Sequence, residues 1–130
     1  MIKNAKVLRG LPGCGKSTKA REFGGCICSA DDFFMRNGVY RFNEAQQPIA
    51  HQWCLKKFTE AIESGEPLVI LDNTNIKHSY YAPYVKVAEK NGYEVEIIKI
   101  PLLSVQECFD RTVHGVPLEI IQMMSEEWED

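Results

Sequence analysis

The sequence predicts a three-layer α/β domain, with about four parallel strands in a central sheet and helices on both faces. Three observations carry this expectation. Short apolar segments alternate with helix-compatible stretches along the whole chain. One segment, Pro67-Leu68-Val69-Ile70-Leu71, is apolar without alternation, as in a strand covered on both faces. The first apolar segment runs straight into the glycine-rich stretch Gly10 to Gly15, a strand–turn–helix transition. At 130 residues the chain has the length of one domain, and residues 1–130 are expected to form one.

Residues 5–9 read as the first strand, through Val7-Leu8 to Arg9. Lys16 to Phe23 is helix-compatible and stops at Gly24-Gly25. Cys26-Ile27-Cys28-Ser29 is a short second strand, and residues 30–42 read as irregular, with aromatics at Phe33, Phe34, Tyr40 and Phe42. Ala50, Trp53, Cys54, Phe58, Ala61 and Ile62 recur at helical spacing, so a helix is expected from about Asn43 to Ser64 with Trp53 in the core. His51 stands one residue off that face and reads as a structural histidine at the border of the cleft. After the strand 67–71, a helix covers about Tyr80 to Lys90, with Tyr80, Tyr81 and Tyr84 packing it on the sheet. Tyr93 to Ile100 is the fourth strand. Ser104-Val105-Gln106-Glu107 is a capping box that opens a short helix to about Arg111. Pro117 suits the first turn of a last helix, to about Trp128.

A composition of 45% hydrophobic and 25% charged residues is that of an ordinary soluble globular protein, and excludes low-complexity, collagen-like and disulfide-scaffold classes. No apolar run approaches a membrane span, and Met1 to Lys6 carries no signal-peptide core, so a cytoplasmic location is expected. The net charge of −3 argues against a general nucleic-acid coat protein. Its distribution is uneven: residues 1–60 carry 10 basic and 5 acidic side chains, residues 61–130 carry 5 and 13. An anionic ligand is therefore drawn to the first half. The acidic tail Glu126, Glu127, Glu129, Asp130 reads as a solubilising end. Five cysteines and no secretory signal point to reduced thiols. The Cys26-Ile27-Cys28 pair is expected to place its thiols on opposite faces of the strand, which disfavours a shared zinc.

Gly10-Leu11-Pro12-Gly13-Cys14-Gly15-Lys16-Ser17-Thr18 matches the phosphate-binding pattern G-x-x-x-x-G-K-[ST] in full, between a strand and a helix. Its glycines let successive backbone N–H groups turn inward as an anion nest, and the helix adds its N-terminal partial charge. Lys16 is placed to reach the β- and γ-phosphates, Ser17 to bind Mg²⁺, and Cys14 to fill space. Asp72 ends the apolar strand, where a carboxylate holds magnesium through its waters. Asn73, Thr74 and Asn75 either orient the site or cap the next segment. Asp31-Asp32 follow the second strand and should face the same crevice as the loop, since ligands lie beyond the C-terminal strand ends. One of the two is a candidate general base for an attacking hydroxyl, with Asp32, Arg36 and Arg41 on the acceptor side. Arg111 and His114 lie between the last two helices, on a segment placed to close over phosphates.

With these residues together, the chain resembles small P-loop kinases of the polynucleotide 5′-hydroxyl kinase group. It is more similar still to the kinase-like P-loop domain of a ubiquitin-ligase-binding protein family. The matching strings are Leu8-Arg9-Gly10-Leu11-Pro12-Gly13, Ser29-Ala30-Asp31-Asp32-Phe33-Phe34, Ala50-His51-Gln52-Trp53, Asp72-Asn73-Thr74-Asn75, Pro83-Tyr84-Val85 and Arg111-Thr112-Val113-His114-Gly115-Val116. The resemblance implies a kinase-type P-loop fold with the Asp72 strand beside the loop strand. It implies that Lys16 and Ser17 bind ATP and Mg²⁺, that Asp31 is the general base and that Arg111 is a lid arginine. It also implies transfer of the ATP γ-phosphoryl group to a nucleic-acid 5′-hydroxyl. A small-molecule kinase, or a nucleotide-dependent binding module with little transfer activity, are the alternatives. The chain departs from the polynucleotide kinases at Phe34, where an arginine of the phage enzyme holds the acceptor, and near His114, where a second lid arginine is replaced.

Overall fold

The computed structural model describes residues 2–101, 103–112 and 114–130. Met1, at the start of the segment read for a signal peptide, and Val113, inside the Arg111–Val116 string, lie outside the described residues. Four strands form the central sheet: β1 (Asn4–Arg9), β2 (Cys26–Cys28), β5 (Leu68–Asp72) and β6 (Glu94–Lys99). Their order is β2-β5-β1-β6, and all pairings are parallel. The Asp72 strand does lie beside the loop strand, with Leu8 in register with Asp72. Helices α1 (Lys16–Phe23), α2 (Gln47–Glu63), α3 (His78–Lys90), α4 (Val105–Arg111) and α5 (Leu118–Glu126) complete the chain.

Alternate residues of the buried strands feed opposite faces. Ala5, Val7, Val69 and Leu71 join Phe58 and Ile62 of α2 and Tyr84 of α3 on one face. Leu8 and Ile70 pack with Ala20 of α1 on the other. A third cluster, Leu11, Cys14, Ile76, Ile100, Cys108 and Ile121, lies where the glycine-rich loop meets α4 and α5. There Cys14 fills space, as expected.

Several expectations are corrected. Residues 30–42 are ordered: a 3-10 turn, Ala30–Phe34, leads into a hairpin of β3 (Met35–Arg36) and β4 (Val39–Tyr40). Asn37 and Gly38 close it at φ of 51° and 79°, the left-handed geometry a two-residue hairpin requires. The α2 helix begins at Gln47, because Asn43 caps a separate 3-10 turn through its side chain and Pro48 occupies the first α-helical turn. Pro117 precedes α5 as its N-cap residue. Trp53 is only half-buried, at the edge of its core cluster. Tyr81 and Tyr84 are buried as expected, but Tyr80 is 51% exposed.

Cys26 and Cys28 both join the α2-side cluster, while Ile27 packs on the α1 side. Residues i and i+2 of a pleated strand share a face, so the expectation of opposite faces fails. The acidic tail is docked. Glu129 accepts a hydrogen bond from the His78 amide at the start of α3, and Lys99 pairs with Asp130 at 2.8 Å. Arg9, buried at the end of β1, donates to the Asn75, Ile76 and Glu129 carbonyls.

Candidate active site

The loop after β1 is held from several sides. The Gly10 amide donates to the Thr74 carbonyl at 3.1 Å. Gly13 sits at φ 83°, and a Cβ there would collide with the Cys108 carbonyl, so the loop runs directly against the end of α4. Gly15 precedes α1 at φ 98° and offers no side-chain cap. The first amides of α1 are therefore free of a capping side chain. Lys16 is 9% exposed, with its Nζ donating to the Leu11 carbonyl at 3.3 Å. An ammonium that is nearly buried, beside uncapped helix amides, is a fit for an anion.

Across the cleft, Ser17 Oγ donates to Asp72 Oδ2 at 2.9 Å. Asp72 ends β5 and is 7% exposed. Burial pushes its carboxyl pKa up, against the pull of Lys16 and the Ser17 hydrogen bond. A hydroxyl and one carboxylate are hard oxygen donors of the kind Mg²⁺ uses together with substrate phosphates. Among the described residues there is no group of three His, Cys, Asp or Glu side chains that would hold an ion on protein ligands alone.

Asp31 and Asp32 are set by the 3-10 turn. Ser29 caps that turn, accepting from the Asp31 amide at 3.3 Å, and the Ala30 amide donates to Asn73 Oδ1 at 2.9 Å. Asn73 thus ties the end of β5 to the Asp31 turn. Asn75, at φ 48°, donates to the Leu8 carbonyl at 2.7 Å. The Asn73 and Asn75 side chains thus tie the end of β5 to the Asp31 turn and to β1, while α3 begins after Lys77 without a side-chain cap. Tyr40 Oη donates to Asp31 Oδ1 at 3.2 Å, and its ring stacks on His114 at 3.9 Å between centroids. His114 Nε2 lies 3.9 Å from Asp31 Oδ2. Partial burial, with the Asp31 and Asp72 charges, raises the Asp32 pKa, and burial beside Asp31 pushes the Tyr40 phenol far up.

A cleft of about 360 Å³ unites these groups, lined by Ser17, Arg21, Asp31, Asp32, Asp72 and His114 among others. A second groove of about 250 Å³ adjoins it, lined by Asp32, Phe33, Met35, Arg36 and Trp53. Phe34, 2% exposed, is locked among Phe33, Tyr40 and Phe42. Arg111 ends α4, exposed and beside the loop, but lines neither cavity. His114 does reach the cleft. Arg36 is brought to the second groove; Arg41 lines neither. His51 is exposed, its pKa lowered by partial desolvation against the opposing Asp31 charge. Sequence reasoning missed Ser29 and Arg21 as cleft residues, Trp53 as a residue of the second groove and Tyr40 as the Asp31 partner. The Asn37-Gly38 dipeptide was the available signal for Tyr40, because a hairpin there folds Tyr40 back beside the Asp31 turn.

A phosphate-binding loop leading into α1, with a carboxylate strand paired directly beside the loop strand, defines a P-loop domain of the kinase-like type. The chain belongs to the family described as an AAA domain (AAA_33), whose model matches residues 6–113. Human NEDD4-binding protein 2 is 36% identical over 132 residues, covering 95% of this chain; the chain spans 7% of that protein. A chain of the Pnkp1/Rnl/Hen1 RNA repair complex shares the fold at a TM-score of 0.73 and 19% identity, over 97% of this chain and 44% of that one. A gluconokinase from Sinorhizobium meliloti 1021 shares it at a TM-score of 0.61 and 21% identity, over 99% and 77%. No helix among the described residues is long and apolar enough to cross a membrane.

Proposed function

We propose that the chain transfers the γ-phosphoryl group of ATP to a hydroxyl, and that the acceptor is the 5′-hydroxyl of a nucleic-acid strand. The observation that supports transfer is that the Ser17–Asp72 pair and Asp31 wall one cleft. Lys16 and the amides at the start of α1 bind the donor phosphates. Ser17 and Asp72 would hold Mg²⁺, which would neutralise phosphate charge there. Asp31, held at one oxygen by Tyr40, accepts the proton of the acceptor hydroxyl as its oxygen bonds the γ-phosphorus and ADP leaves. Arg111, from the end of α4 beside the loop, stabilises charge on the transferred group.

The acceptor class is supported by the basic first half of the chain and by Arg36 in the groove that adjoins Asp32. Phe34 contributes to the core, so acceptor binding falls to Arg36 and the groove. The test is incubation with γ-labelled ATP, Mg²⁺ and a panel of 5′-hydroxyl oligonucleotides, nucleosides and small polyols. Label is expected on oligonucleotide 5′ ends. Asp31→Asn should spare ATP affinity and cut turnover by about 10²-fold or more. Turnover with a small metabolite alone, and no labelled 5′ end, refutes the acceptor assignment. Full activity of Asp31→Asn refutes the base.

A further inference from the structure

We infer that the groove beside the reaction cleft is a nucleobase-stacking subsite built on Trp53, taking the base of the acceptor's 5′-terminal nucleotide. This rests on the nucleic-acid reading above and specifies how the strand is held. Trp53 belongs to the apolar stripe of α2, yet its neighbours Ala50 and Cys54 are fully buried while Trp53 is not. What it is left facing is the groove of about 250 Å³ shared with Asp32, Phe33, Met35 and Arg36. Asp32 and Met35 also line the reaction cleft, so the two cavities adjoin across these residues. No residue of the phosphate-binding loop lines the groove, which therefore lies on the acceptor side of Asp31-Asp32.

The groove has the chemistry of a stacking platform. Its volume is below the roughly 300–1,000 Å³ of sites for drug-sized molecules, and suits one flat ring system. Phe33 meets Trp53 edge-on, 5.9 Å between centroids at 61°, and is itself braced by Phe34 at 5.5 Å. The indole is thus held in place while still partly exposed. Lys57, one turn further along α2, places its Nζ 5.8 Å from the indole centroid, and Arg36 lies in the groove wall. An aromatic plane flanked by cations is what single-stranded nucleic acid uses: the base stacks and the charges follow the backbone. Asp32 at the junction repels a phosphate, so a neutral base, not the backbone, occupies the end of the groove nearest the reaction cleft. Met35 adds a thioether that adapts to different bases.

The experiment uses the two tryptophans of the chain. Trp128 lies apart, on Arg9 and the docked tail. In a Trp128→Phe variant the remaining emission is that of Trp53, and a 5′-hydroxyl oligothymidylate should quench it at saturation. The same oligomer made abasic at its 5′-terminal position should quench it far less. In steady state, Trp53→Leu should raise KM for the oligonucleotide about 10-fold, leaving KM for ATP and saturating kcat unchanged, with Trp53→Tyr recovering most of the loss. Labelled 5′ ends with KM unaltered in Trp53→Leu, or equal quenching by the abasic oligomer, overturn the subsite and leave the transfer reading intact. Quenching without any labelled end supports the subsite and overturns transfer. Neither quenching nor labelling overturns both. Should Trp53→Leu fail to fold, the quenching comparison, made with Trp53 in place, decides alone.

Discussion

Replacing Arg9 with Met removes a guanidinium that is 4% exposed while keeping most of its stem. Nε donates to the Asn75 carbonyl at 2.8 Å, and Nη2 to those of Ile76, at 3.2 Å, and Glu129. The group also lies over the rings of Tyr81 and Trp128, at 5.1 and 4.7 Å. The Asn75 and Glu129 carbonyls lose this donor, at about 1–3 kcal/mol each, while that of Ile76 keeps the Glu129 amide at 2.8 Å; each ring contact adds about 0.5–2 kcal/mol. Against this, the native state no longer desolvates a charge, a relief of several kcal/mol. At the middle of these ranges the difference is a destabilisation of about 2–4 kcal/mol, or roughly 8–14 °C in Tm for a chain of this length. Urea and thermal unfolding measure it. Hydrogen exchange supplies the local signature: protection should fall at residues 128–130 and at the His78 amide, which Glu129 accepts. Arg9→Lys should recover less than half of the loss, since an ammonium cannot serve three carbonyls in a fork. A Tm within about 3 °C of the unaltered protein, with the tail still protected, refutes the reasoning.

Three further outcomes follow from the site. Lys16→Ala should weaken ATP binding in Mg²⁺ by calorimetry or abolish transfer; affinity and turnover both unchanged would remove the loop from the reaction. Arg111→Ala should lower kcat more than it raises KM for ATP, because a lid arginine acts on charge that develops in the transition state; equal constants return it to the solvated surface. His51 has its pKa lowered from 6.5 by desolvation, so the unfolded chain takes up its proton first on acidification. Its contribution to stability is therefore full above pH 6.5 and is lost as pH falls through the depressed folded-state value. Urea unfolding from pH 7.5 to 5 should show a shallower decline in His51→Gln than in the unaltered chain; parallel curves refute the assignment.

What was legible in the sequence is what is encoded locally. The uninterrupted apolar run at 67–71 announces a strand covered on both sides, and it sits inside the sheet. Ser104 caps α4 as read, its Oγ accepting from the Glu107 amide at 3.1 Å, while the Glu107 carboxylate takes the Ser104 hydroxyl at 3.0 Å rather than the Ser104 amide. Errors came where tertiary packing overrides a local pattern. Helical spacing places Trp53 with Ala50 and Cys54, but its indole packs on Phe33 of the Asp31 turn and is left only half-buried. The acidic composition of the tail suggests solvation, whereas Arg9, some 120 residues away in sequence, draws it in. The hairpin at Asn37-Gly38 was readable in principle, and was hidden by strands only two residues long.

The residues of the candidate site divide in the same way. Lys16, Ser17, Asp31 and Asp72 are recognisable because each lies within a contiguous motif whose chemistry is local. Their mutual placement is not local. Asp31 is fixed by Ser29 two residues before it, by Tyr40 from the hairpin and by His114 from the α4–α5 connection. No sequence period relates those positions. The Tyr40–His114 stack joins two segments read as unrelated, an aromatic loop and a basic lid, directly over the carboxylate assigned as base. Asn73 performs the equivalent task from the other side, tying the Asp72 strand to the turn that carries Asp31. The phosphate-loop side and the Asp31 side of the cleft are therefore linked through hydrogen bonds of residues 73–75. A change at Asn73 would alter the spacing between Asp72 and Asp31 without touching either.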